Sequence, residues 1–161
     1  MDAALIDALP RTDLGFAGLF LACALIGAGI GVAVAPVTRS LRRVTYIFSM
    51  ACLYAFLIVT QAGWALLPMA QDGGWATGLI ALLLALVGVY GAFLWRLSAA
   101  RGHHIDGRPG WGWLVFVPVA NLYLSFAPGR DAARGWRGGD VLLLIAAVAI
   151  AFAAEMFAAA I

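Results

Sequence analysis

Charged residues are scarce in this sequence, and lysine is absent altogether. Only 11% of the 161 residues are charged and 65% are hydrophobic, whereas about 25% of the residues in soluble domains are charged. This composition excludes an ordinary soluble protein, and it excludes disorder, which needs low hydrophobicity and high net charge. Two cysteines are too few for a disulfide scaffold. A formal net charge of +2 is too small for a nucleic-acid-binding surface. An integral membrane protein remains.

Long hydrophobic runs predict the transmembrane helices. A helix needs about 20 apolar residues to cross a hydrocarbon core of about 30 Å. Three runs reach this length and predict helices over about 14–36, 44–70 and 75–98. A fourth run predicts a helix over about 140–161, because its hydrophobicity outweighs the cost of Glu155. We therefore expect a single all-α membrane domain over residues 1–161.

Residues 111–127 leave two topologies open. The segment is just long enough to cross a membrane and carries Pro118 and Asn121 near its middle. If it crosses, the helix bundle has five spans; if it re-enters from one side, the bundle has four. We expect five, because spanning helices are commoner than re-entrant segments and tolerate proline. Five spans would also place Glu155 at the depth of Arg96, which would give it an ion-pair partner.

The arginines predict the orientation of the bundle. Arg39, Arg42 and Arg43 lie between the first two predicted helices, whereas the loop between the second and third has no basic residue. Cytoplasmic loops of membrane proteins are enriched in basic residues. We therefore expect residues 38–43 in the cytoplasm and the N-terminus outside.

Small residues recur along the first predicted helix. Gly27 and Gly31 form a GxxxG pair, which lets two helix backbones approach closely. The stripe predicts helix packing, either between two copies of the chain or against another helix of the same chain. We favour the second.

The segment before residue 111 concentrates residues suited to binding. Arg101 and Arg108 offer forked donors that match phosphate, and Trp111 and Trp113 carry rings that prefer the lipid headgroup level. One interpretation is an aromatic belt at the membrane surface. The other is a site for an anionic lipid headgroup or a partner protein, which would use further residues of the two arginine-rich segments. Those residues are Arg39, Arg42, Arg43 and His104.

The sequence shows no catalytic or cofactor-binding constellation. His103 and His104 are adjacent, so they point apart, whereas metal ligands must converge on one face. Adjacent histidines are equally unsuited to be opposed axial ligands of haem. No nucleophile–base pair or phosphate-binding loop accompanies them. We expect no enzymatic activity, no metal and no cofactor.

Two stretches resemble a known family. Thr38-Arg-Ser-Leu-Arg-Arg-Val-Thr-Tyr46 precedes a pair of predicted helices, and Arg101-Gly-His-His-Ile-Asp-Gly-Arg-Pro-Gly-Trp111 leads into an apolar segment that ends at Pro128-Gly129. Together they resemble the bacterial inner-membrane family known as domain of unknown function 805, over residues 38–129. The resemblance implies a multi-pass protein of the bacterial inner membrane, and the family's activity is itself uncharacterised. The matching positions are Arg39, Arg42 or Arg43, Tyr46, Arg101, His104, Gly107, Arg108, Gly110 and Trp111.

These features predict a non-enzymatic accessory or scaffold subunit that packs against a larger membrane complex and against anionic lipid. Its expected partners are membrane lipids and either a membrane protein or a second copy, without nucleic acid. The alternative is a small-solute transporter or channel component, because polar residues inside apolar helices mark solute pathways. Those polar residues are Glu155, Arg96, Gln61 and Asn121.

Overall fold

The computed structural model describes residues 13–34, 36–129 and 138–160. All regular secondary structure in these ranges is helical, as the composition predicts. In chain order the helices are α1 (Asp13–Val34), α2 (Arg43–Ala62), a 3₁₀ helix (Gly63–Leu66), α3 (Leu67–Asp72), α4 (Ala76–Ile105), a second 3₁₀ helix (Pro109–Phe116), α5 (Pro118–Phe126) and α6 (Gly138–Ala159).

Four helical stretches are long and apolar enough to cross a membrane. Large hydrophobic side chains on these stretches are exposed, among them Ile26, Leu82 and Ile145. Exposed apolar faces of this kind suit a hydrocarbon solvent and would be costly in water. The chain therefore has the build of a multi-pass membrane protein. The four stretches are Leu14–Val34, Arg43–Asp72, Ala76–Ile105 and Gly138–Ala159.

Helix α1 packs against α4 through its small residues. A Cβ atom on Gly27 would collide with the carbonyl oxygen of Gly88, and one on Gly31 would lie 2.9 Å from that of Ala92. The pairs advance together along both helices, so α1 and α4 run parallel. The GxxxG pair is therefore used inside one chain, the second of its two interpretations, because only residues without bulky side chains permit this approach.

Helix α6 runs parallel to α2. Near the start of both helices, Arg42 donates to Asp140 at 3.2 Å, and further along both helices the Tyr54 hydroxyl donates to Glu155. We call the end of the bundle where α2 begins and α4 ends the arginine end, and the opposite end the distal end. Since α6 begins at the arginine end, the chain between α4 and α6 returns to the end from which it left.

The expected continuous helix over 111–127 does not form. The second 3₁₀ helix and α5 are separated at Val117, whose φ of −105° and ψ of 113° are extended. The physical reason is Pro118, which lacks an N–H and pushes the preceding residue out of helical geometry. The two helices fold into a hairpin (residues 109–129). The described residues thus contain four helices of spanning length, not five.

The hairpin enters the bundle and comes back along α4. On the way in, Trp111 lies beside Gly102 and Val115 packs against Leu94, eight residues further into the bundle. That separation is about 12 Å at a rise of about 1.5 Å per residue. On the way out, Leu124 again contacts the arginine end of α4.

Two predicted boundaries move. The run 44–70 is helical but changes type, because Gly63 begins a 3₁₀ turn and Pro68 cannot continue the hydrogen-bond ladder. Helix α4 extends to Ile105, beyond the expected end at 98, and stops where Gly107 adopts a positive φ of 86°. Residues 101–105 therefore belong to a helix and not to a loop.

Candidate functional site

Arg101 holds the end of the hairpin. Its side chain is fully buried, and its Nε atom donates to the carbonyl of Leu124 at 2.9 Å. Its two terminal nitrogens donate to the carbonyls of Ala127, at 2.5 Å, and Leu41, at 3.4 Å. A cation at the carboxyl end of α5 satisfies carbonyls that the helix leaves open and suits the helix dipole. The Arg101 guanidinium is therefore engaged by carbonyl groups of the protein, and its expected role in lipid or partner binding stays a prediction without support from this arrangement.

A second polar contact fixes the middle of the hairpin. The hydroxyl of the fully buried Tyr46 donates to Asn121 Oδ1 at 2.8 Å and lies 3.2 Å from the Ser98 hydroxyl oxygen. The contact joins α2, α4 and α5. Asn121 was expected to mark a solute pathway, and here it positions the hairpin. Sequence reasoning missed Ser98, although it lies three residues before Arg101 and so shares its face of α4.

His104 is buried against the chain that leaves the hairpin. Its exposed fraction is 7%, and a Cβ atom on Gly129 would collide with its ring. His104 is therefore buried within the protein, and its expected role in lipid or partner binding stays a prediction. Within the described ranges, no group of three or more His, Cys, Asp and Glu residues lies close enough together to hold a metal ion.

The arginine end also presents side chains to the surroundings. The backbone N–H of Leu41 donates to the carbonyl of Ala100 at 3.0 Å, so the loop before α2 and the last turns of α4 share this end. On it Arg39 and Arg108 are exposed. Trp113, on the entering arm of the hairpin, is 44% exposed, and its ring centroid lies 6.1 Å from that of Trp95. These three residues are the predicted binding residues that remain accessible.

The other predicted binding residues at this end are partly engaged. Arg42 pairs with Asp140, and Arg43 is half-buried. Trp111 is half-buried, with its ring centroid 5.4 Å from that of Tyr123. The arginine-rich surface is therefore smaller than the sequence suggested.

Glu155 and Arg96 do not meet. Arg96 lies nine residues before the end of α4 at Ile105 and donates to the carbonyl of Gly31 at 3.2 Å, whereas Glu155 accepts from the Tyr54 hydroxyl. The expected ion pair fails because α6 begins at the arginine end. Glu155 therefore lies 15 residues beyond Asp140, or about 22 Å along the helix. The ion pair between Glu155 and Arg96 was expected only if the bundle had five spans. Its absence removes one of the reasons for expecting a fifth span.

Gln61 lies apart from the other polar residues. It lines a groove of about 520 Å³ between α1, α2 and α4, whose floor includes Tyr90 and which reaches Phe116 at the tip of the hairpin. Of the four polar residues expected to mark a pathway, Gln61 alone lines this groove. The four side chains therefore do not converge there on one route.

No family model matches the chain, and neither a curated protein nor a solved structure matches it. The resemblance of residues 38–129 to domain of unknown function 805 stays a prediction. Support for a function comes from the contacts and exposure of the chain's own residues.

Proposed function

We propose that the chain is a non-enzymatic protein of the bacterial inner membrane that binds anionic lipid headgroups at its arginine end. In this proposal it serves as an accessory or scaffold subunit of a larger membrane complex. The observation that carries the proposal is the exposure of Arg39 and Arg108 at the arginine end, together with the exposure of Trp113 on the arm by which the hairpin enters the bundle.

The proposed topology has four spans and a re-entrant hairpin, with the arginine end in the cytoplasm. The parallel course of α2 and α6 supports it, since a chain that crossed through the hairpin would need α6 to run the other way. The positive-inside rule supports the orientation, because Arg39 and Arg108 then lie on the cytoplasmic side. Asp72, at the distal end, would face the periplasm. The five-span alternative has no comparable support.

The chemistry of the exposed residues suits a phospholipid. An arginine side chain presents a planar fork of donors that matches two phosphate oxygens. Trp113 has an amphipathic ring of the kind enriched at the headgroup level. Neither Arg39 nor Arg108 has a guanidinium hydrogen bond to the described residues. Each basic residue near an anionic leaflet is worth about 1 kcal/mol.

Lipid retention in nanodiscs tests the proposal. Purified protein is moved into discs that contain equal phosphatidylglycerol and phosphatidylcholine, and the lipids that stay bound are counted by native mass spectrometry. We expect a preference for phosphatidylglycerol that falls roughly thirtyfold in the double variant Arg39→Gln/Arg108→Gln, because two contacts are worth about 2 kcal/mol.

Two control variants sharpen this experiment. Arg39→Lys/Arg108→Lys keeps the charge but loses the forked donors, so it should retain only part of the preference. Gln71→Glu changes the charge by one unit at the exposed distal end and should leave the preference intact. Equal retention by wild type and the double glutamine variant would overturn the lipid-binding role.

A further inference from the structure

We infer that the surface around Glu155 on α6 docks a transmembrane helix of another membrane protein, and that this helix carries a lysine or arginine at the depth of Glu155. The inference rests on the proposed accessory role and adds the chemistry of the partner. It starts from the position of a carboxyl group on an apolar, outward-facing surface.

Helix α6 is attached to the bundle by a narrow stripe. Its buried residues are Asp140, Ala147 and Ala154, which recur every seven positions and so lie on one face. Much of the remaining circumference carries exposed apolar side chains. Those nearest Glu155 are Phe152, Met156 and Phe157.

Glu155 itself is exposed on this surface and lies within the apolar stretch of α6. It follows Asp140 by 15 residues and precedes the end of α6 at Ala159 by four. A carboxyl group that faces hydrocarbon is costly, and intramembrane acidic residues in membrane proteins almost always find a partner or a water-filled cavity.

The described residues supply only part of the hydrogen bonding that the Glu155 carboxylate can accept. The Tyr54 hydroxyl donates one hydrogen bond to Oε1. An ionised carboxylate has about four acceptor positions on its two oxygens, so most of them remain open. Charge complementarity with a cation brought by a partner would fill them.

A second copy of this chain is a poor occupant of the surface. Parallel copies in one membrane place equivalent residues at equal depth. Among the described residues, the arginine farthest from the arginine end is Arg96, about 13 Å before the end of α4 at Ile105. Glu155 is about 22 Å along α6 from that end. Among its described residues, a neighbouring copy would therefore offer its own Glu155 and exposed apolar side chains at this depth. The cation is therefore assigned to a different membrane protein, and self-association of the chain is one outcome of the test.

Designed peptides supply a defined probe. Three leucine- and alanine-rich transmembrane helices are compared, with one lysine in the distal third, one lysine in the third near the arginine end, or no lysine. Each carries a dansyl acceptor, and binding to the full-length protein is followed by energy transfer from its tryptophans. The vesicles contain phosphatidylcholine only, so that the proposed anionic-lipid site plays no part.

We expect the distal-lysine peptide to bind about tenfold more tightly than the other two, the scale of a polar pair between membrane helices. Glu155→Gln should abolish this preference, whereas Glu155→Asp should keep most of it. Circular dichroism checks that both variants stay folded, and retention in the aspartate variant separates loss of charge from loss of structure.

Three results would overturn the inference. They are equal binding of the three peptides, a preference that survives Glu155→Gln, and self-association of the chain that excludes the peptides. Failure of the lipid proposal would appear separately, as lost discrimination for phosphatidylglycerol in nanodiscs without peptide. If the accessory role itself were wrong, the protein would leave native membranes without a stoichiometric partner, whatever the peptides do.

Discussion

The Nε atom of Arg101 lies 2.9 Å from the carbonyl oxygen of Leu124, and this bond fastens the returning arm of the hairpin to the last turns of α4. The same guanidinium also holds Ala127 and Leu41. One buried side chain therefore joins three segments that are far apart in the sequence. These hydrogen bonds explain how an apolar segment of nearly spanning length returns to the arginine end of the bundle.

Loss of the Arg101 clamp should destabilise the fold. Arg101→Leu removes three donors and leaves the carbonyls of Leu124 and Ala127 without them, at a cost of about 2 kcal/mol or more. Thermal unfolding in detergent, followed by circular dichroism, should show a lower Tm. Arg39→Leu, a matched change at an exposed position, should stay within about 0.5 kcal/mol of wild type. An unchanged Tm for Arg101→Leu would contradict the clamp.

The hairpin should begin and end on the same side of the membrane. Single cysteines replacing Arg108 and Pro128, in a variant without the natural cysteines, should react with an impermeant thiol reagent only after the cells are opened. A cysteine replacing Asp72 should react in intact cells. Labelling at 128 from outside, together with protection at 108, would instead support a fifth span.

Added side-chain volume in α1 should destabilise the α1–α4 contact at Gly27 but not at Gly29. Gly27→Ala forces a methyl group against the Gly88 carbonyl and should cost about 1–3 kcal/mol, the range for overpacking. Gly29 has nothing within 4 Å of an added Cβ, so Gly29→Ala should be neutral or stabilising by up to about 1 kcal/mol. Tm measurements on both variants decide the matter, and equal shifts would argue against the close crossing.

The contact between Arg42 and Asp140 should contribute modestly to the docking of α6. Their 3.2 Å ion pair is partly exposed, with side-chain exposures of 37% and 10%. We expect a coupling energy of about 0.5–1 kcal/mol, which weakens at high salt. A double-mutant cycle with Arg42→Gln and Asp140→Asn measures it. Additive losses would mean that the two side chains do not stabilise each other.

The contact between Tyr54 and Glu155 should show coupling of similar size. Tyr54→Phe removes the hydroxyl donor and Glu155→Gln removes the charged acceptor, and polar pairs between membrane helices average about 0.6 kcal/mol. Unfolding free energies of the two single variants and the double variant give the coupling. Zero coupling would place the Tyr54 hydroxyl elsewhere.

Local properties of the sequence were enough for the class of protein and its long helices. Hydrophobic length determines which stretches can span a bilayer, and each of the four long hydrophobic runs contains a helical stretch of spanning length among the described residues. The small side chains of Gly27 and Gly31 were enough to predict a close helix crossing, because absence of bulk is itself the condition for it.

The tertiary structure decided the course of residues 111–127 and, with it, the partners of the polar residues. Pro118 explains the break at Val117, but a break alone is compatible with both crossing and returning. The return depends on Arg101 and Tyr46, whose contacts with the hairpin span 20 residues or more of sequence. Once the hairpin returns, α6 must start at the arginine end, so Glu155 meets Tyr54 and lies far from Arg96. Hydropathy sums local transfer energies, and it cannot encode which distant carbonyl a buried guanidinium will hold.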